Sequence, residues 1–138
     1  MGKVKILFWS VLGLFLTFCS LTNDGKHTQN VSAIVGTWYW QQSSGGISGK
    51  DIVTPESTGV HKKLVFGADK KVTVFTNDVE TGNYTYTIKL GNSIFDNKEH
   101  YLLTFNEMVY VIQYIDKQHL SIQDNFVDGY VSTYISNF

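Results

Sequence analysis

The stretch Ile34-Val35-Gly36-Thr37-Trp38-Tyr39-Trp40-Gln41-Gln42 decides the reading of this chain. Side chains alternate faces along a strand, so Trp38 and Trp40 share one face while Thr37, Tyr39 and Gln41 share the other. Two indoles carry a large apolar area, and the face that bears them is expected to be buried. Gly36 has no side chain, which suits a place where another element passes close by. The strand then runs into Ser43-Ser44-Gly45-Gly46-Ile47-Ser48-Gly49, a glycine- and serine-rich run. A strand of this kind needs others to wrap around its aromatic face.

The rest of the chain supplies them. Residues 60–66 place Leu64 and Phe66 on one face, and Gly67-Ala68-Asp69-Lys70 reads as a hairpin turn. Residues 71–76 put Val72 and Val74 together, and residues 77–82 form a turn-rich connection. Over residues 84–90 the alternation is cleanest. Tyr84, Tyr86, Ile88 and Leu90 face one way, and Thr85, Thr87 and Lys89 the other. Residues 91–99 read as a loop. Strands follow over residues 100–105, 107–115, 119–124 and 130–135, with turns at Asp116-Lys117 and at residues 125–129. This pattern predicts an all-β fold, an antiparallel up-and-down β-barrel of about eight strands. Closure removes exposed sheet edges, and a barrel of that size holds at most one small ligand. Residues 43–59 exceed the usual connection length and read as a lid, a binding loop or a packed surface loop.

Gly36-Thr37-Trp38 at the start of the first strand of an all-β domain resembles the Gly-x-Trp signature of the calycin superfamily. The longer pattern adds Ser43-x-Gly45-Gly46, Thr54-Pro55-Glu56-Ser57-Thr58-Gly59 and Leu64-x-Phe66. It is similar to small lipocalin-like lipoproteins of Bacteroidetes, over roughly residues 34–135. The resemblance implies a lipocalin-type barrel, with the Trp38 indole packed across its closed end. Gly36 and Trp38 are then structural.

Before the barrel lies a leader. Met1-Gly2-Lys3-Val4-Lys5 is basic, and residues 6–18 form thirteen positions without a charge. That length fits the apolar region of a signal peptide and is short for a membrane-spanning helix. Ile6 in place of Ser or Thr disfavours myristoylation. The chain's one cysteine, Cys19, follows directly. A single cysteine in an exported protein has no internal disulfide partner. Leu16-Thr17-Phe18-Cys19 resembles a bacterial lipobox, with Phe18 a departure where a small residue is usual. The expected organisation is a signal peptide over 1–18, a lipidated Cys19 with a flexible tether over 19–33, and the barrel over 34–138. The address that follows is the bacterial cell envelope, anchored at the outer membrane or the periplasmic face. The alternative is secretion after cleavage just past Cys19.

Composition excludes some partners. The chain has eleven lysines and no arginine against twelve acids. Beyond residue 18, nine lysines face all twelve acids, a net charge of −3. A nucleic-acid binder shows a basic surplus, so no nucleic acid is expected. No nucleophile–base pair or carboxylate pair stands out, and His27, His61, His100 and His119 are scattered without metal-ligand spacing. The run Gly45-Gly46-Ile47-Ser48-Gly49-Lys50-Asp51 fails as a phosphate-binding loop in glycine spacing, in Asp51 and in lacking a following helix. Phe126 spoils residues 124–129 as a calcium loop. A non-enzymatic protein without metal or cofactor is expected.

Two non-enzymatic readings stand beside a third, an enzyme using an unrecognised site, which perturbed titratable groups converging in a cleft would favour. In one, the barrel is partly hollow and binds a small apolar or amphipathic ligand, touched by Trp40, Phe66, Tyr84, Tyr86 and Tyr110. In the other, the barrel is filled and its surface contacts another envelope protein. Tyrosine hydroxyls are costly to bury unpaired, and Tyr84, Tyr86, Tyr110 and Tyr134 are many for a dry core. That favours the first reading.

Overall fold

The computed structural model describes residues 29–137. The leader, Cys19 and His27 lie outside them. A 3-10 turn over Val31–Ile34 opens the described chain. The strands are β1 (Gly36–Gly45), β2 (Asp51–Val53), β3 (Lys62–Phe66), β4 (Lys71–Thr76), β5 (Val79–Thr85), β6 (Thr87–Asn92), β7 (Glu99–Phe105), β8 (Met108–Ile115), β9 (His119–Asp124) and β10 (Val131–Ser136), with a one-turn helix α1 (Pro55–Thr58) between β2 and β3.

All pairings are antiparallel, and the order is β5-β4-β3-β1-β10-β9-β8-β7-β6, with β2 paired to β1 off this path. Beyond β2 each strand pairs with its neighbour in sequence except that β5 and β6 do not pair, and β1 pairs with the last strand. This is a curled, barrel-like, up-and-down sheet. Its two ends, β5 and β6, are consecutive in the chain and separated by Tyr86 alone.

The break at Tyr86 corrects the single strand expected over residues 84–90. There the chain leaves β4 and takes up pairing with β7. Tyr86 sits at the corner with its N–H on the Lys70 carbonyl at 2.8 Å. Its ring meets Phe66 edge-on at 5.0 Å, and its hydroxyl donates to the Gly67 carbonyl at 2.9 Å. Alternation holds through the corner for Tyr86 and Ile88, but Leu90 is 55% exposed, because it lies near the free end of an edge strand.

Other boundaries differ for local reasons. Residues 43–59 are more than a loop: β1 continues to Gly45, β2 folds back on it, and α1 follows. Helix α1 is set by a capping box between Thr54 and Ser57, Pro55 in its first turn and Gly59 in a left-handed conformation. The connection over residues 77–82 shrinks to a two-residue turn, because Asn77 and Asp78 take φ of 49° and 63° and let the hairpin reverse tightly. Asn106 and Glu107 do the same at 51° and 62°, so β8 begins at Met108 rather than at Glu107. The expected loop over residues 91–99 is shorter, since β6 runs to Asn92 and β7 starts at Glu99. Val31 and Ala33, placed in the tether by sequence, pack against the core. Gly36 serves its backbone and not a close crossing: its φ is +145°, and a Cβ there would touch nothing.

The core is layered along the barrel. Trp38, Phe66, Tyr86, Ile34, Leu103, Ile112, Leu120, Val72 and Val111 are fully buried. The Trp38 indole N–H donates to the Ile34 carbonyl at 2.8 Å, which ties the 3-10 turn onto the barrel's end. Phe105 meets Phe66 edge-on at 6.1 Å. This end is filled by side chains, as small barrels commonly are.

Candidate functional site

The inward rows change character toward the opposite end. On β3 the row runs Phe66, Leu64, then Lys62. On β9 it runs Leu120, Ile122, then Asp124. On β10 Tyr134 gives way to Ser132, and on β8 Ile112 gives way to Tyr110. On β1 a bulge between Trp40 and Gln42 shifts the phase by one, so Ser43 rather than Gln42 follows Trp40 on the inner face. Gln42 is exposed, and Ser43 is half-buried. Five apolar rows thus end in polar or amphipathic side chains at one mouth.

These side chains line an open cavity of about 380 Å³, together with Val53, Thr58, Val60 and Tyr130. Its wall is hydrogen-bonded. The Trp40 indole N–H donates to Ser43 Oγ at 2.9 Å, and Ser43 Oγ lies 2.7 Å from Ser132 Oγ. Asp124 Oδ2 accepts the Tyr130 N–H at 3.0 Å. Lys62 Nζ sits over the Trp40 ring, 5.0 Å from its centroid. Tyr110 stacks on Phe105 at 5.1 Å, which joins the cavity wall to the filled core below.

Tyr134 and Tyr110 hold their protons. Burial pushes the Tyr134 hydroxyl up, and negative charge on Tyr110 or Asp124 would push it further, against a smaller opposing effect of Ser132. Burial likewise raises Tyr110, with Asp124 adding to it. At neutral pH both are neutral groups able to donate and accept. The rim is built on close backbone approach: Gly45 has φ of +139°, and a Cβ there would lie 2.7 Å from the Gly129 carbonyl oxygen.

Of the residues expected to touch a ligand, Trp40 and Tyr110 line this cavity. Phe66 and Tyr86 do not, since both are fully buried in the packed end. Tyr84 is half-buried, 6.4 Å from Phe105, and also lies outside the lining. Sequence reasoning missed Lys62, Asp124, Ser43 and Ser132. For Lys62, Asp124 and Ser132 the signal was present, two positions beyond the last apolar residue of each row. For Ser43 it was hidden by the bulge.

Two other features have less to offer. A recess of about 650 Å³ lies between Gln29, Asn30 and Ala33 and the β8–β9 turn. It borders the first described residue, and apart from Ile115 none of its lining belongs to the buried core. In the β6–β7 loop, Ser93 Oγ donates to Asp96 Oδ1, and His100 Nε2 lies 2.9 Å from Asp96 Oδ2. Both side chains hold the carboxylate, so Asp96 stands between them and no serine–histidine pair forms; a nucleophile needs its base in direct reach. The Ser93 bond, with the Lys98 N–H and His100, lowers the Asp96 carboxyl from 3.8 to about 2. Among the described residues no group of three His, Cys, Asp or Glu is placed to hold a metal ion.

Comparison with known proteins returns no match, whether to a family model, a curated protein or a solved structure.

Proposed function

We propose that this chain is a lipocalin-like binding module of the bacterial cell envelope, anchored through a lipid on Cys19, that takes a small hydrophobic or amphipathic molecule at the barrel mouth. The observation that supports it most is the change of the inward rows from apolar to polar around a cavity of about 380 Å³. Ligand sites are commonly apolar clefts with a few placed polar groups, and this volume lies near the low end of their range. The ligand is correspondingly small, and it rests against Trp40 and Ile122.

The test is tryptophan emission of the chain during titration with fatty acids, isoprenoids, tetrapyrroles and smaller aromatic amphipaths. A ligand of the mouth shifts the emission of the native chain, and Trp40→Phe abolishes that shift. If no member of the panel moves the emission of the native chain, the binding reading fails. For the anchor, intact-mass analysis from the native host should find an acylated Cys19 as the first residue. An unmodified N-terminus at Ser20 or later would establish secretion instead.

A second reading has its own support. Ile47 and Ile52 are 93% and 63% exposed, and Phe126 and Val127 are 45% and 69% exposed. The first pair flanks the β1–β2 turn and the second the β9–β10 connection, and the two segments touch where Gly45 meets Gly129. Exposed apolar side chains grouped in this way suit contact with another envelope protein.

A further inference from the structure

Charge at the mouth is arranged asymmetrically. Asp124 is half-buried on the inward row of β9 and is fixed by the Tyr130 N–H. Its other oxygen, Oδ1, accepts no hydrogen bond among the described residues, and no ion pair there includes it. Trp40, Tyr110, Tyr130 and Tyr134 share the cavity lining with it. Lys62 is the one basic residue in the lining, and it is exposed at the lip on a flexible stem. Its ammonium already rests on the face of Trp40 at 5.0 Å. The negative face of an indole attracts cations, so this contact shows that Trp40 offers a surface to one.

An incoming anion would meet a fixed carboxylate. An incoming cation would meet only a lysine that can swing its charge into water. The two costs are unequal, and the difference favours a cation. We infer that the mouth takes a small organic cation, an amine or quaternary ammonium head on an apolar body, held between Asp124 and the aromatic walls, with Lys62 as a built-in competitor for the face of Trp40. The inference rests on the reading of the mouth as a ligand site and names the class of ligand.

Lys62 has a second consequence. Its ammonium occupies the place of the ligand's head, so the empty site is already partly satisfied. Removing the ammonium should improve binding of a cation, whereas at a site for anions the same change weakens binding. The sign of the Lys62 effect therefore separates the two classes of ligand.

The experiment uses the full chain and three probes of similar size: benzyltrimethylammonium, neutral benzyl alcohol and anionic phenylacetate. Calorimetry gives the affinity, and tryptophan emission shows whether Trp40 is involved. The expected result is saturable binding of benzyltrimethylammonium in preference to the other two. Asp124→Asn weakens it by about tenfold or more, and Lys62→Gln tightens it by roughly threefold, within the scale of single cation–aromatic and charge contacts. Asparagine retains an oxygen for the Tyr130 N–H, and circular dichroism checks that the fold survives. The Lys62→Gln arm reads independently, because that residue lies exposed at the lip. Tighter binding of phenylacetate than of the cation overturns the inference, as does cation affinity unchanged in Asp124→Asn or lowered in Lys62→Gln. Failure of the cation while another amphipath binds in a Trp40-dependent way also overturns it, and leaves the binding module standing. If neither the three probes nor the wider panel perturbs Trp40, the inference and the binding module fall together.

Discussion

Trp38 and Trp40 are two residues apart on one face of one strand, and they belong to different worlds. The Trp38 indole donates to a backbone carbonyl, Ile34, in the buried core, where Trp38 also borders a recess of about 340 Å³ next to Gly36 and Ser136. The Trp40 indole donates to a side-chain hydroxyl, Ser43, at the edge of a cavity, and a lysine ammonium lies on its ring. Both rings are buried, at 1% and 5% exposure, so burial alone does not distinguish them. What distinguishes them is the next residue of the same row. From Trp40 toward the mouth, five rows end in polar or amphipathic side chains, Ser43, Lys62, Tyr110, Asp124 and Ser132, while Val53, Val60 and Ile122 keep part of the cavity wall apolar. A barrel of this size can be solid at one end and open at the other, and the identity of a few inward residues sets the boundary.

The largest effect expected is at the closed end. Trp38→Ala empties a fully buried site and should cost roughly 3–5 kcal/mol of stability, measured by denaturant unfolding. Trp40→Ala should cost clearly less, because its cavity already opens to water. Equal losses would erase the distinction between the two ends. At the rim, Gly45→Ala should cost about 1–3 kcal/mol, since the new Cβ meets the Gly129 carbonyl at 2.7 Å and the φ of +139° is one that only glycine adopts readily. A neutral outcome would mean that the rim is looser than its backbone contacts suggest. Tyr86→Phe keeps the packed ring at the corner and loses the hydroxyl bond to Gly67, for about 1 kcal/mol.

The smallest effect lies away from both ends. The Asp96 carboxyl is lowered in the folded chain from 3.8 to about 2. A depressed carboxylate stabilises the fold above its unfolded value, and the benefit is lost as pH falls through that value toward the folded one. Thermal midpoints should therefore fall between about pH 4 and pH 2, and Asp96→Asn should flatten part of that fall. An unchanged slope in the variant would show that Asp96 is not held in this way.

The fold was legible because the two-residue period of the strands survives nearly everywhere. It carried the placement of Leu64, Phe66, Leu120 and Ile122, and with it the barrel-like class. It failed at Tyr86, where one run of alternating residues serves two different neighbours, since a corner does not interrupt the side-chain alternation. It failed at residues 43–59, where Asp51–Val53 folds back onto residues 43–45 through a glycine-rich turn, because the polar run there shows no two-residue apolar period to mark a strand. The site was half legible. Trp40 and Tyr110 stand out as aromatics. Lys62, Asp124 and Ser132 read as ordinary solvated residues near strand ends, until the inward row is followed two positions further. Phe66 and Tyr86 are equally aromatic and lie in the packed end, because residue type does not encode height along the barrel.

The division between a solid end and an open end can be measured without knowing the ligand. Hydrogen exchange of the indole N–H groups, followed by nuclear magnetic resonance and assigned with Trp38→Phe and Trp40→Phe, reports on each tryptophan separately. The account predicts that the Trp40 indole exchanges much faster than that of Trp38, which opens only with global unfolding. Equal protection of the two, or faster exchange at Trp38, would contradict it.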